Sequence, residues 1–141
     1  MIIADTNIVS EFMRDQPDPT VLAWGASQVA GELTICVVTV EEIERGIGRL
    51  PPGRRKDDLR VRWQSLINDF ADTIKVYDIT AAEATATTLI HAEASGHPMA
   101  LADAQIAGIC LATGSQLATR NVRDFRDVPL LKVVDPFQPR T

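Results

Sequence analysis

Cysteine and histidine are scarce in this chain: its 141 residues hold two of each. Cys36 lies in an apolar, strand-like run and Cys110 on an apolar helix. They are far apart and have no His or Cys neighbour at metal-ligand spacing, so both read as buried thiols rather than zinc ligands. His91 and His97 flank a helix break and read as ordinary exposed residues. No serine or cysteine triad is apparent. No uninterrupted apolar stretch reaches membrane-spanning length and no signal peptide is visible, which points to a cytoplasmic protein with no membrane partner. Internal repeats, low-complexity tracts and linkers are also missing, and the length fits one domain over residues 1–141. What remains is 45% hydrophobic residues to fill a core and 23% charged residues to keep it in solution.

Charge is unevenly spread. The net charge of −5 argues against a protein that coats nucleic acid through its overall field. Arg45 to Arg62, however, carries seven basic residues against Asp57 and Asp58, a local +5 that leaves −10 elsewhere. Arg120, Arg123 and Arg126 form a second basic cluster. Either patch can hold a polyanion locally, because phosphate contacts act within a Debye length. From charge alone the plainer reading of the first patch is a solvated helix face, with Arg54–Asp58 and Asp58–Arg62 pairing at i,i+4.

Short apolar runs at 1–4, 33–38, 74–77, 116–118 and 131–134 predict strands. Between them the patterning predicts helices over about 8–14, 19–29, 40–50, 54–70, 80–95 with Thr80 as its cap, and 100–112. Such alternation implies an α/β fold, a mostly parallel sheet with helices on both faces.

Four acidic positions stand out against this frame. Asp5 is the sole charged side chain in the first ten residues and sits where the apolar run Met1–Ala4 meets Thr6-Asn7. Glu42 flanks the apolar stripe Val40, Ile43, Ile47 and Leu50, and its spacing from Thr39 makes a capping box, a sufficient structural explanation. Glu41 and Glu44 are further surface acids. Asp103 is the sole charged residue from Ala94 to Thr119, set among Ala and Leu where an unpaired carboxylate is costly; a first-turn acid complementing a helix dipole is the plainer alternative. In Thr119-Arg120-Asn121-Val122-Arg123-Asp124, Asn121 can cap a turn with Asp124 completing a box-like pair. All four places fall at strand ends or adjoining helix starts, which converge in a parallel sheet. Carboxylates brought together repel unless a divalent cation lies among them, and an oxygen-only set suits Mg²⁺ or Mn²⁺.

These segments, Ile3-Ala4-Asp5-Thr6-Asn7, Thr39 to Gly46, Ala102 to Ala107, Ala118 to Phe125 and the closing Val134-Asp135-Pro136-Phe137, resemble in order and spacing the PIN-domain ribonucleases, and among them the VapC-type toxins of bacterial toxin–antitoxin pairs. The resemblance covers nearly the whole chain. It implies a three-layer α/β/α sandwich, a Mg²⁺- or Mn²⁺-dependent endoribonuclease, and a homodimer bound to an inhibitory VapB-type antitoxin. By position, Asp5, Glu42 and Asp103 match the family's acidic, metal-holding core. The fourth acid falls on Asp124, with Asn121 standing where many members have an acid. Thr6 and Asn7 match polar residues beside the first acid. With an RNA substrate, Arg120 and Arg123 become candidate phosphate contacts. Two competing functions are a phosphatase forming an aspartyl-phosphate on Asp5, for which Asn7 replaces the second Asp that chemistry needs, and a non-catalytic binding module whose acids only cap helices.

Overall fold

The computed structural model describes residues 1–138. Four short strands, β1 (Ile2–Ala4), β2 (Leu33–Thr34), β3 (Gln116–Ala118) and β4 (Val133–Val134), pair in parallel in the order β2-β1-β3-β4. Ile2 lies opposite both Leu33 and Gln116, Ala4 opposite Ala118, and Ala118 opposite Val134. Side chains alternate across a strand, and the core divides accordingly. Ile2, Ala4, Leu33, Ala118 and Val134 face one cluster, and Ile3, Leu117 and Val133 face the other. The first cluster is completed by α1 (Thr6–Phe12), α2 (Pro19–Ala26), α3 (Val37–Gly48) and α4 (Arg54–Phe70), through Ile8, Val21, Ile43, Trp63 and their neighbours. The second is completed by α5 (Ile79–Ala94), α6 (Leu101–Thr113) and α7 (Val122–Phe125), through Ala81, Ile106, Cys110 and Phe125. The result is an α/β/α sandwich with a parallel sheet, as the alternation of elements implies.

Local chemistry explains the helix boundaries. Pro19 opens α2 behind Asp18, whose carboxylate accepts from Thr20 N at 2.8 Å. The buried Glu11 fixes the preceding link by accepting from Asp18 N at 2.9 Å and pairing with Arg14. Gly114 closes α6 in the left-handed conformation at φ 65°. Both cysteines are free, buried thiols whose pKa values burial pushes up.

Four expectations are corrected. The run 74–77 forms no strand: Lys75 makes one parallel bridge to Cys36, its N–H donating to Ile35 O at 3.0 Å, after which Val76 and Tyr77 are exposed. The strand expected over 33–38 stops at Thr34, because Cys36 already stands at the N-cap of α3 and Val37 and Val38 lie in its first turn. Asp78, not Thr80, caps α5, accepting from Ala81 N at 2.9 Å. Finally, Asp58 pairs with neither Arg54 nor Arg62 among the described residues. Arg62 instead reaches Asp15 and Met13 O, and Arg60 pairs with Glu44 across the α3–α4 contact, because the segment after α1 and helix α3 offer these cations better-placed acceptors.

α5 and α6 form the largest helix–helix contact, and Gly108 lies in it. A Cβ on Gly108 would run into Thr85 Oγ1 and come within 2.7 Å of Ala81 O, which belongs to the backbone of α5. Gly108→Ala should therefore push the two helices apart and destabilise the protein by about 1–3 kcal/mol, in the range of overpacked cores. A urea denaturation midpoint equal to or above that of the wild type would contradict this packing.

Candidate active site

β1 delivers Asp5 to the C-terminal edge of the sheet, where its N–H donates to Ala118 O at 2.8 Å and so ties it to the end of β3. Only 4% of Asp5 is exposed. A carboxylate that deep must have its oxygens satisfied, and each has donors. Oδ1 accepts from Thr6 N at 2.8 Å; Oδ2 accepts from Thr119 Oγ1 at 2.8 Å and from Asn7 Nδ2 at 3.3 Å. Asn7, in the first turn of α1, also ties that helix to the segment after β3, since its Oδ1 accepts from Arg120 N at 3.1 Å. Asp5 thus serves as the N-cap of α1. The cap does not use up the carboxylate, because burial and the negative charge of Glu42 still hold its pKa above the usual value against the three donors.

Glu42 overturns the capping-box reading. Because α3 begins at Val37, Thr39 lies within its first turn, and the N-cap Cys36 makes no side-chain capping bond. Glu42 Oε1 instead accepts from Thr6 Oγ1 at 2.7 Å, and Thr6 Oγ1 lies 3.1 Å from the buried Thr39 Oγ1. Thr6 is therefore a link between two acids: its amide holds Asp5 and its hydroxyl holds Glu42. Glu41 and Glu44 turn elsewhere, to Arg45 at 2.9 Å and to Arg60 and Trp63.

Asp103 enters from the first turn of α6, half-buried and with no hydrogen bond or ion pair among the described residues. Its pKa is pushed up to about 6 by burial and then by the charges of Asp5, Asp124 and Glu42. Those three are the acids singled out in the sequence. The structure therefore brings all four candidates into one electrostatic neighbourhood, although they span almost 120 residues. The plain helix-dipole explanation does not account for a carboxylate whose surroundings oppose its charge.

The fourth segment contains no capping box. Asn121 stands at the N-cap of α7 without a side-chain capping bond, and Asp124 N donates to Asn121 O at 3.0 Å. Asp124 is exposed and, with Asp103 and Arg123, lines a shared cleft. Arg120 stacks on Phe137 at 4.3 Å from the ring centroid, an arrangement that leaves its N–H groups available at the ring's edge. Thr119 is the residue sequence reasoning passed over. Fully buried, it donates to Asp5 and accepts from Asn121 N at 3.1 Å. Its place directly after an apolar strand, where a hydroxyl has no water to bond, was the available signal.

Among the described residues no group of three or more His, Cys, Asp or Glu side chains stands together as a metal cage. The candidate donors are all oxygen, the ligand type that Mg²⁺ and Mn²⁺ take, and burial with the neighbouring acids opposes the charge of the unpartnered Asp103, an opposition that a cation would offset. The residues present therefore fit such an ion.

Comparison with known proteins adds an independent line. Residues 2–131 match the PIN domain family model. The chain belongs to the PIN-domain family. The plasmid stability protein StbB of Pseudomonas syringae pv. tomato is 37% identical over 139 residues, covering 98% of this chain and 99% of that protein. The VapC ribonuclease Y4jK of Sinorhizobium fredii is 31% identical over 140 residues, with 99% of each covered. Among solved structures, a chain of FitAB bound to an IR36 DNA fragment superposes with a TM-score of 0.92 at 30% identity, covering 100% of this chain and 99% of that one. The matched span of this PIN domain contains all four acids, while β4 lies beyond it.

A stability measurement tests the position of Asp103. An acid whose folded pKa exceeds its unfolded one binds protons more tightly when folded, so its protonation stabilises the fold. The contribution of Asp103 to the stability of the metal-free PIN domain should fall as pH rises from about 4 through about 6 and then level off. Asp103→Asn should raise Tm at pH 7.5 in chelator and flatten that slope. A lower Tm at pH 7.5 with the slope unchanged would show that the carboxylate is not crowded as described.

Proposed function

We propose that this chain is a Mg²⁺- or Mn²⁺-dependent endoribonuclease acting as the toxin of a cytoplasmic toxin–antitoxin pair. The observation that carries this reading is Asp103, a half-buried carboxylate without a partner, opposed by the charges of Asp5, Glu42 and Asp124. A site that only capped helices would pair its acids; this one leaves Asp103 for an incoming cation. Membership of the PIN family and near full-length similarity to a VapC ribonuclease support RNA as the substrate. Likeness to a chain of FitAB, solved on DNA, supports a VapB-type antitoxin as partner, and a homodimer is part of the same proposal.

In this reading Asp5 and Asp103 would hold the cation directly, and Glu42 and Asp124 would act through its waters. When bound, the ion lowers the pKa of a water and neutralises charge on the scissile phosphate. The residues of the chain do the positioning. Thr6, Asn7 and Thr119 fix the Asp5 carboxylate and the Thr6 hydroxyl aims Glu42; Glu42 or Asp124 would orient the attacking water as general base. Arg120 and Arg123 supply cations for the RNA backbone beside the acids, with Asn121 as a polar contact to phosphate.

Attack by water in line with the leaving 3′ oxygen yields a 5′-phosphate and a 3′-hydroxyl and makes no use of the RNA 2′-hydroxyl. The purified protein should cut single-stranded RNA with Mg²⁺ or Mn²⁺ and stop in chelator, and Asp5→Asn should slow cutting by about 10²-fold or more, as for loss of a group central to the chemistry. Cleavage that persists in chelator and in Asp5→Asn, or products ending in a 2′,3′-cyclic phosphate, would overturn the mechanism.

A further inference from the structure

The cleft lined by Asp103 and Asp124 is larger than a metal site needs. It forms a cavity of about 510 Å³ bounded by the end of α5, the turn before α6, and α7. That volume lies within the roughly 300–1,000 Å³ of small-ligand pockets. Besides the acids, its walls carry both histidines of the chain, His91 and His97, together with Arg123, Arg126 and the apolar Met99. The proposed catalytic chemistry uses neither imidazole, and neither side chain makes a hydrogen bond or ion pair among the described residues. Arg123 has no carboxylate partner there either, and Arg126 reaches Asp127 only at 3.9 Å.

These side chains have one property in common. Proteins that read single-stranded RNA splay out its bases and stack them on flat side chains, imidazole and guanidinium among them, while cations hold the backbone. Here two imidazole planes, two weakly engaged guanidiniums and an apolar thioether enclose a space that opens onto two of the four acids. A mononucleotide fits a cavity of this class, and a phosphate joined to it would lie towards Asp103 and Asp124.

We propose that this cavity is a nucleotide subsite: the RNA residue adjoining the scissile phosphate lies in it, its base stacked on His91 or His97 and its backbone held by Arg123 and Arg126. The subsite selects where the chain is cut, and it rests on the reading of the four acids as a ribonuclease centre. His91 and His97, read from the sequence as ordinary exposed residues, become specificity determinants.

The two histidines give the only imidazole Cε1 protons in the protein, so proton NMR observes the cavity directly, with assignments taken from His91→Ala and His97→Ala. Wild-type protein in chelator, titrated with a single-stranded oligoribonucleotide of mixed sequence, should show saturable movement of at least one imidazole resonance in step with fluorescence anisotropy of the labelled RNA. The double variant His91→Ala/His97→Ala should bind about tenfold more weakly, the scale of one lost stacking platform. With Mg²⁺ it should cut the same RNA at a changed distribution of sites, with KM raised and kcat within about twofold of wild type. Imidazole resonances that stay in place while RNA binds, RNA that does not bind at all, or a double variant with unaltered affinity and cleavage pattern would each overturn the subsite. A wild-type protein that binds RNA through the histidines but never cuts it would count against the nuclease reading alone.

Discussion

The structure depends on burying a negative charge at the end of its central strand. Asp5 is almost inaccessible to water, and an isolated carboxylate in that position would cost several kcal/mol. The fold meets that cost with a backbone N–H from Thr6, a hydroxyl from Thr119 and an amide from Asn7. None of the three is decorative. Thr119 comes from the far end of the sequence, and through Asn7 the same network grips the backbone of Arg120. Satisfying one carboxylate therefore docks the loop after β3 onto the start of α1, and with it the segment that carries Asp124.

Topology supplies the rest of the convergence. β1 lies between β2, the next strand in sequence, and β3, reached only after four further helices, so the chain leaves β1 on one side and returns on the other. In open α/β sheets such a reversal opens a crevice beyond the strand ends. α3 and α6 both begin close to that edge, and each brings one acid in its early turns, Glu42 and Asp103. The close seating of α6 against α5 at Gly108 sets where Asp103 stands. A packing feature in one layer thereby controls the spacing of charges at the mouth of the sheet.

Much of this was legible in the sequence, and the exceptions have physical causes. Apolar runs and breaker residues marked the helices well because burial and capping are local. The four acids were visible as charges out of place, with Asp103 alone in a long apolar window. What the local pattern misjudged was competition between partners. Thr39 and Glu42 have capping-box spacing, yet tertiary contact with Thr6 offers Glu42 a better donor once the helix starts at Val37. The run 74–77 has strand composition, but its neighbour β2 is only two residues long and a single bridge forms. Arg62 has Asp58 one turn away and still chooses Asp15 and a carbonyl of the loop after α1. At Glu42 and Arg62 a long-range partner wins over one nearby in sequence, and at 74–77 the long-range partner is too short to extend the pairing.

The charge distribution bears on how an acidic protein can act on a polyanion. Of the seven basic residues between Arg45 and Arg62, Arg45, Arg60 and Arg62 are spent on carboxylates and Lys56 on backbone carbonyls. Three of the five excess charges of that region are therefore met by acids outside it, which reduces its local field, while Arg49, Arg54 and Arg55 have no ion pair among the described residues. Cations beside the acids differ. Arg123 has no ion pair among the described residues and shares a cleft with Asp103 and Asp124. With a net charge of −5, the protein gains little from long-range attraction. Under the proposed function, recognition of RNA rests on a few contacts inside a Debye length of the acids, where base stacking and phosphate pairing would operate together. Under the proposed function the same acids would weaken phosphate binding in chelator without abolishing it, and the opposed charge of Asp103 would make RNA binding and cation binding reinforce one another.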